Sequence, residues 1–216
     1  MPPLSWSVIA LRDLAALVLT TTPRLGTTRL IAIDGPAGSG KTRLASLLAD
    51  EVQRLVEKVV VLHMDDLYRG WETDFAETLD RLDQQVLAAL TAGRPAAYQR
   101  YDWHAGRFGE WVSVPACDVL VVEGVGAGGR SLEASLSLLV WVEAPAHVRI
   151  RRGVERDGRQ VLPRWRAWMQ HEEAEHVRQH TRARAHVRID GHPGPGVDPP
   201  TEVLADRDIE AVRSRS

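Results

Sequence analysis

The sequence predicts a three-layer α/β/α domain built on a mainly parallel sheet. Three observations carry that prediction: short runs apolar at every position, helical periodicity between them, and acidic or glycine residues where the runs end. A strand covered on both faces is apolar throughout, whereas a half-solvated strand alternates. Strands of the first kind that alternate with helices imply a parallel sheet with helices on both sides.

The elements follow in order. Residues 6–20 read as an amphipathic helix and 21–28 as a Thr/Pro/Gly connector. Residues 30–33 form a buried strand ending at Asp34-Gly35. Leu44, Leu47, Leu48, Val52, Leu55 and Val56 then recur at helical spacing across 42–57. A second strand, 59–62, runs into His63-Met64-Asp65-Asp66. Thr73 or Asp74 caps a helix to about Leu90, stopped by Gly93-Arg94-Pro95. The tryptophan- and glycine-rich stretch 98–116 has no clear period and reads as an ordered loop. Strands 119–122 and 138–142, a helix at 146–156 opened by Pro145, a helix at 164–180 and a strand at 187–189 complete the pattern. The expected organisation is one domain over 1–191, including the N-terminal helix and connector of 1–28. A loose tail over 192–216 follows, with one short strand at 202–205.

Composition narrows the class. The chain has 216 residues, 44% of them apolar and 26% charged, ordinary for a globular protein able to bury its own core. A net charge of −2 supplies no global field for nucleic acid or an anionic membrane, so neither is an expected partner. The apolar stretch 8–20 is interrupted by Arg12-Asp13 and resembles neither a signal peptide nor a membrane span. The single cysteine, Cys117, can form no internal disulfide, which fits a reducing cytoplasm. Basic residues are almost all arginine; the lysines are Lys41 and Lys58, which makes a lysine inside a glycine loop informative.

That loop is Gly35-Pro36-Ala37-Gly38-Ser39-Gly40-Lys41-Thr42. Gly-x4-Gly-Lys-Thr between a strand and a helix is the phosphate loop of P-loop NTPases. Its glycines let backbone N–H groups wrap phosphates at a helix N-terminus. Lys41 would bridge the β- and γ-phosphates of ATP, and the Thr42 hydroxyl would ligate Mg2+. For this composition a chance match is on the order of one in a thousand.

Three further features point to phosphoryl transfer. Asp65 and Asp66 follow a buried strand, where a carboxylate can accept the proton of an attacking hydroxyl or hold magnesium, or simply cap a helix. Residues 119–122 lead into Glu123-Gly124, an apolar run before an acid with the form of a magnesium-orienting element. Arg149, Arg151, Arg152, Arg156 and Arg159 crowd one helix and the turn at Asp157-Gly158; Arg149, Arg152 and Arg156 share a face and can stabilise a transferring phosphoryl group. A guanine-reading Asn-Lys-x-Asp motif is absent. Trp165, Trp168, Glu172, Glu173, His176 and His180 read as a packing stripe with a solvated face, and His171 and His176 are poorly spaced for a shared metal.

Together these residues resemble the uridine kinase and phosphoribulokinase group of P-loop kinases, from about Arg29 to Gly191. Asp65-Asp66-Leu67-Tyr68 is similar to the group's Asp-x-Phe-Tyr motif, which implies that Asp65 is the catalytic base and that Tyr68 borders the acceptor. Tyr101-Asp102-Trp103-His104-Ala105-Gly106-Arg107 resembles a shortened acceptor-binding segment, implying acceptor contacts from Tyr101, Asp102, His104 and Arg107. By the same likeness Arg149, Arg152, Arg156 and Asp157 match a nucleotide lid and Thr42 and Glu123 organise Mg2+, while Arg159, from the crowded turn, is a further expected nucleotide-binding residue. The expected function is an ATP-dependent cytoplasmic kinase that phosphorylates a hydroxyl of a nucleoside or similar metabolite. The alternative is a regulatory P-loop ATPase without a small acceptor.

Overall fold

The computed structural model describes residues 6–198 and 201–206. Its centre is a seven-stranded sheet of order β1-β9-β8-β7-β2-β6-β3. The strands are β1 (Trp6–Ala10), β2 (Arg29–Asp34), β3 (Val59–His63), β6 (Val119–Glu123), β7 (Leu136–Glu143), β8 (Val187–Asp190) and β9 (Glu202–Asp206). Strands β8, β7, β2, β6 and β3 run parallel, while β9 is antiparallel to both β8 and β1. The expected mainly parallel α/β architecture is therefore the observed one.

Side-chain alternation along β2 divides the core. Ile31 and Ile33 enter one apolar cluster with α1 (Leu11–Thr20) and α2 (Lys41–Gln53). Leu30 and Ala32 enter the other, beneath α3 (Phe75–Leu82), α4 (Ala88–Thr91) and a separate hairpin of β4 (Ala96–Asp102) and β5 (Arg107–Val114). On α1 the buried Leu11, Leu14, Ala15, Leu17 and Val18 make one stripe, as helical periodicity requires. Asp74 caps α3, its carboxylate accepting from the amides of Ala76 and Glu77. A π turn over Asp83–Leu87 joins α3 to α4. Beyond β7 come α5 (Ala146–Asp157), α6 (Leu162–Gln179) and the single-turn α7 (Thr181–Arg184). Gly153 is buried at the α5–α6 crossing, where a Cβ would strike the Trp165 ring.

Three expectations change. Residues 6–10 are strand β1, not the first turns of a helix, because Val8 and its neighbours pair with β9. The stretch 98–116 is largely the β4–β5 hairpin; its strands face solvent widely and so lack an apolar signature. The strand expected at 202–205 is present as β9, but it belongs to the main sheet rather than to a loose tail beyond 191, pinned by a buried Arg188–Asp206 ion pair at 2.8 Å. The remainder of the expected tail, residues 207–216, lies outside the described residues. Among the described residues no helix is long and apolar enough to cross a membrane.

Candidate active site at the strand ends

The carboxyl ends of β2, β3 and β6 converge, and the chemistry sits there as parallel sheets dictate. Leaving β2, the chain enters the phosphate loop at Gly35, φ +141°. A Cβ at Gly35 would collide with the Val142 carbonyl, and one at Gly38 (φ +76°) would lie 2.8 Å from the Arg149 carbonyl oxygen. Gly35 and Gly38 are therefore required by backbone approach as well as by conformation. Lys41 Nζ folds back to donate to the Pro36 carbonyl at 3.0 Å. The buried Ser39 hydroxyl has no hydrogen-bond partner. A loop that opens the N-terminus of α2 and holds a lysine across its mouth fits a nucleotide triphosphate.

Glu123 is buried, and its Oε1 accepts from the Thr42 hydroxyl at 3.1 Å. The same oxygen lies 2.6 Å from His63 Nδ1, because His63 and Glu123 are register partners on adjacent strands. That hydrogen bond is the main reason the His63 pKa is raised; burial opposes it, and Glu123, Asp66 and Asp65 charges add to it. Thr42 and Glu123 form a hard oxygen set suited to Mg2+. Among the described residues no group of three or more His, Cys, Asp or Glu could hold a metal, so water and phosphate oxygens would complete the coordination.

Asp65 lies just past β3 and opens into the same cavity as Lys41 and Glu123. Desolvation raises its pKa first and the Glu123 charge second, against Lys41, Arg156 and His63. A carboxylate so tuned is a better proton acceptor than an ordinary surface aspartate. Asp66 is instead engaged by the Tyr98 hydroxyl at 2.7 Å.

The lid arginines divide by role. Arg152 donates to the Gly38 and Gly191 carbonyls, both at 2.9 Å, and Arg156 reaches both cavities described below. Arg149 is spent on protein: it bonds Glu172 at 3.0 Å and the Ala144 carbonyl at 3.2 Å. Arg159 is exposed and lines neither cavity. Thus α5 turns Arg152 and Arg156 toward the cavities, whereas Arg149 and Arg159 line neither.

Helix α6 carries what the sequence did not disclose. Glu172 is buried and accepts the Ala37 amide at 2.8 Å, bracing the phosphate loop from behind. Burial pushes its carboxyl pKa up, with the Ala37 amide, Lys41, Arg149 and His176 pulling the other way. One turn on, His176 Nε2 meets Asp34 Oδ1 at 3.1 Å. Asp34 is fully buried and also accepts amides of Gly35, Gly126 and Gly128. Burial raises the Asp34 pKa, but His176 and the glycine amides outweigh it and leave it lowered. The expected solvated face at Glu172 and His176 is therefore an interior one. The available signal is the i, i+3, i+4 spacing of Trp165, Trp168, Glu172, Glu175, His176 and Gln179, which are the side chains that turn inward.

Two cavities meet across the loop. One, of about 370 Å³, is bounded by Gly40, Arg43, Leu47, Arg152, Gly191 and Val203. The other, of about 490 Å³, is walled by Asp65, Tyr68, Trp71, Trp103, Trp165 and Trp168. They share Gly38, Lys41, Thr42 and Arg156. Tyr68 forms a wall of the second cavity while its hydroxyl donates to the Val125 carbonyl at 2.7 Å. Of the expected acceptor segment, Tyr101 packs on Trp103 and Phe108, and Asp102 caps the hairpin turn through the amides of His104 and Ala105. His104 and Arg107 are exposed, and neither they nor Tyr101 and Asp102 line the cavity. Trp103, at the middle of that segment, reaches it instead, with Nε1 donating to the Asp65 carbonyl at 3.1 Å.

A phosphate loop, a strand-end acid pair and paired cavities on a parallel sheet define a P-loop protein of the kinase-like type. The family model described as "AAA domain" (AAA_18) matches residues 31–180, and the chain belongs to that family. A cytidylate kinase from Methanococcoides burtonii is 27% identical over 149 residues, 69% of this chain and 75% of that protein. A candidate uridine kinase structure from Bacillus stearothermophilus superposes with TM-score 0.60 at 21% identity, over 82% of this chain and 96% of that one. A candidate fructose transport system kinase from Silicibacter sp. TM1040 gives TM-score 0.60 at 23% identity, over 77% and 95%. The fold expected from the resemblance to uridine kinase-type proteins is thereby borne out.

Proposed function

We propose that the chain is an ATP-dependent phosphotransferase that phosphorylates a hydroxyl of a small acceptor. The observation that carries this reading is the position of Asp65: it opens into a second cavity that joins the nucleotide cavity at Lys41, Thr42 and Arg156. A nucleotide switch or motor has no need of such a chamber at the γ-phosphate.

The acceptor oxygen attacks the γ-phosphorus, its bond to phosphorus forms as the bond to the β–γ bridging oxygen breaks, and ADP leaves. Asp65 takes the hydroxyl proton. Lys41 and Arg156 face the transferring group and offset its spreading charge. Thr42 and Glu123 would hold Mg2+, which supplies charge neutralisation of the phosphates when bound. His63, hydrogen-bonded to Glu123, fixes the orientation of that carboxylate. Four indoles, of Trp71, Trp103, Trp165 and Trp168, line the cavity beside Asp65.

The names of the kinases it resembles support phosphotransfer and leave the acceptor open. The test is ADP release by wild type and Asp65→Asn against a panel of hydroxyl compounds. Acceptor-dependent release that falls at least about a thousandfold in the variant is expected. Release that no acceptor changes would support the regulatory ATPase instead.

A further inference from the structure

The acceptor cavity has an unusual lining. Beyond Lys41, Thr42, Asp65, Glu123 and Arg156, its side-chain walls are mostly indole, phenol and aliphatic, from Trp71, Trp103, Trp165, Trp168, Tyr68 and Val161, with one further carboxylate, Asp157, whose oxygens are taken by Arg156 and the Trp165 indole. Trp71 packs edge-on to both Trp103 and Trp168, with centroids 5.8 and 6.1 Å away, and Trp168 lies 5.3 Å from Tyr68. The polar handles of these rings are largely taken. Trp103 Nε1 donates to Asp65, Trp165 Nε1 to Asp157 at 3.0 Å, and the Tyr68 hydroxyl to Val125. Lys41 and Arg156 are the cations lining the cavity; Lys41 lies across the phosphate loop, and Arg156 is held by both carboxylate oxygens of Asp157 at 2.7 and 2.9 Å. No amide side chain lines it, and the chain contains no asparagine at all.

Each acceptor class makes a demand that can be checked against this lining. A nucleoside monophosphate needs cations for its own phosphate, and none remain beyond those serving ATP. A sugar or polyol needs a partner for each buried hydroxyl, since an unmatched one costs more than the apolar contacts return. A nucleoside needs partners for its ribose diol; Asp157, the carboxylate on the wall beyond Asp65 and Glu123, is held by Arg156 and the Trp165 indole. A flat ring of low polarity needs aromatic faces and edges, which the cavity offers on several sides. We infer that the natural acceptor is a neutral alcohol borne on a flat aromatic ring, held by the indoles with its hydroxyl against Asp65. This deepens the proposed function and rests on Asp65 being the base.

The test compares arylmethanols and arylethanols with uridine, ribose, fructose and cytidine monophosphate as acceptors for MgATP, together with equilibrium binding of each compound to the enzyme loaded with a non-hydrolysable ATP analogue. Aryl alcohols should exceed every sugar, nucleoside and nucleotide by about a hundredfold in kcat/KM. Trp103, at the partly exposed rim, can be changed without opening the core. Trp103→Ala should raise the aryl alcohol KM about tenfold or more while the KM for ATP moves less than about twofold. Trp103→Phe, which keeps a ring and loses the hydrogen bond to the Asp65 carbonyl, should restore KM with a lower kcat, separating stacking from positioning of Asp65. Preferred turnover of ribose, fructose, uridine or the monophosphate would overturn this inference and leave the phosphotransferase reading intact. Absence of aryl alcohol binding would overturn it irrespective of turnover. Aryl alcohol binding without phosphoryl transfer to any compound would support the site and overturn the phosphotransferase reading.

Discussion

Replacing Glu172 with alanine tests whether α6 holds the phosphate loop in shape. In the native chain the Glu172 carboxylate accepts the Ala37 amide at 2.8 Å and the Arg149 guanidinium at 3.0 Å, with the Glu172 side chain 2% and the Arg149 side chain 12% exposed. Burial leaves the Glu172 pKa raised, so its value lies in two directed hydrogen bonds more than in net charge attraction. Truncation strands a buried amide and removes one of three acceptors of Arg149, since the Ala144 and Ala37 carbonyls remain. The sum is about 2–4 kcal/mol of stability, below the full cost of an isolated buried charge. For a chain of this length that is a fall in Tm of about 4–16 °C. Loss of about 1 kcal/mol of loop order also weakens ATP about fivefold. Glu172→Gln keeps an acceptor for Ala37 but turns an amide group toward Arg149, and should cost about half as much. Denaturant unfolding and ATP titration of the three proteins decide the matter. Equal stability and equal ATP affinity in Glu172→Ala would refute the bracing role.

The lid and loop yield three further expectations. Arg156→Ala should lower kcat by about a hundredfold to a thousandfold, whereas Arg159→Ala should leave it within about twofold, as steady-state kinetics will read. The acid limb of kcat/KM should fall at a pH above the ordinary aspartate value, because Asp65 must be ionised to act and its pKa is raised. Arg156→Met should move that limb to still higher pH, since Arg156 is among the charges that lower the Asp65 pKa. Gly35→Ala must place a Cβ on the Val142 carbonyl in a backbone conformation that disfavours side chains. Its expected cost is about 3–5 kcal/mol in chemical denaturation.

What was legible in the sequence was what is local. The buried strands, the glycine loop and Glu123 declare themselves within a few residues, because a strand covered on both faces and a phosphate cradle each impose their own composition. Residues 6–10 misled because Ser7, Val8 and Ile9 run into a helix and become a strand only by pairing with 203–205, nearly two hundred residues away. The hairpin at 96–114 is hidden by its exposure: Arg100, Asp102, Arg107 and Glu110 break up the apolar positions Tyr98, Phe108, Val112 and Val114. Glu172 and His176 were read as solvated because charged residues on a helix usually are, and only the fold brings Ala37 and Asp34 to meet them. The tryptophans suffered the opposite error. Sequence alone places Trp165 and Trp168 in packing and Trp103 in a loop, whereas they share a cavity with Trp71, the four rings coming from three separate segments of chain. Within the segment that resembled an acceptor motif, the ring at Trp103 occupies the site and His104 does not, a shift of one residue that follows from the tight hairpin turn.

The central claim is that Asp65 directs the γ-phosphate onto an acceptor hydroxyl. Incubation with γ-labelled ATP and the acceptor panel, followed by separation of products, tests it most directly. Label should appear on an organic acceptor with wild type and be absent from it with Asp65→Asn, at unchanged ATP binding. Label recovered only as inorganic phosphate, at the same rate in both proteins, would contradict the account.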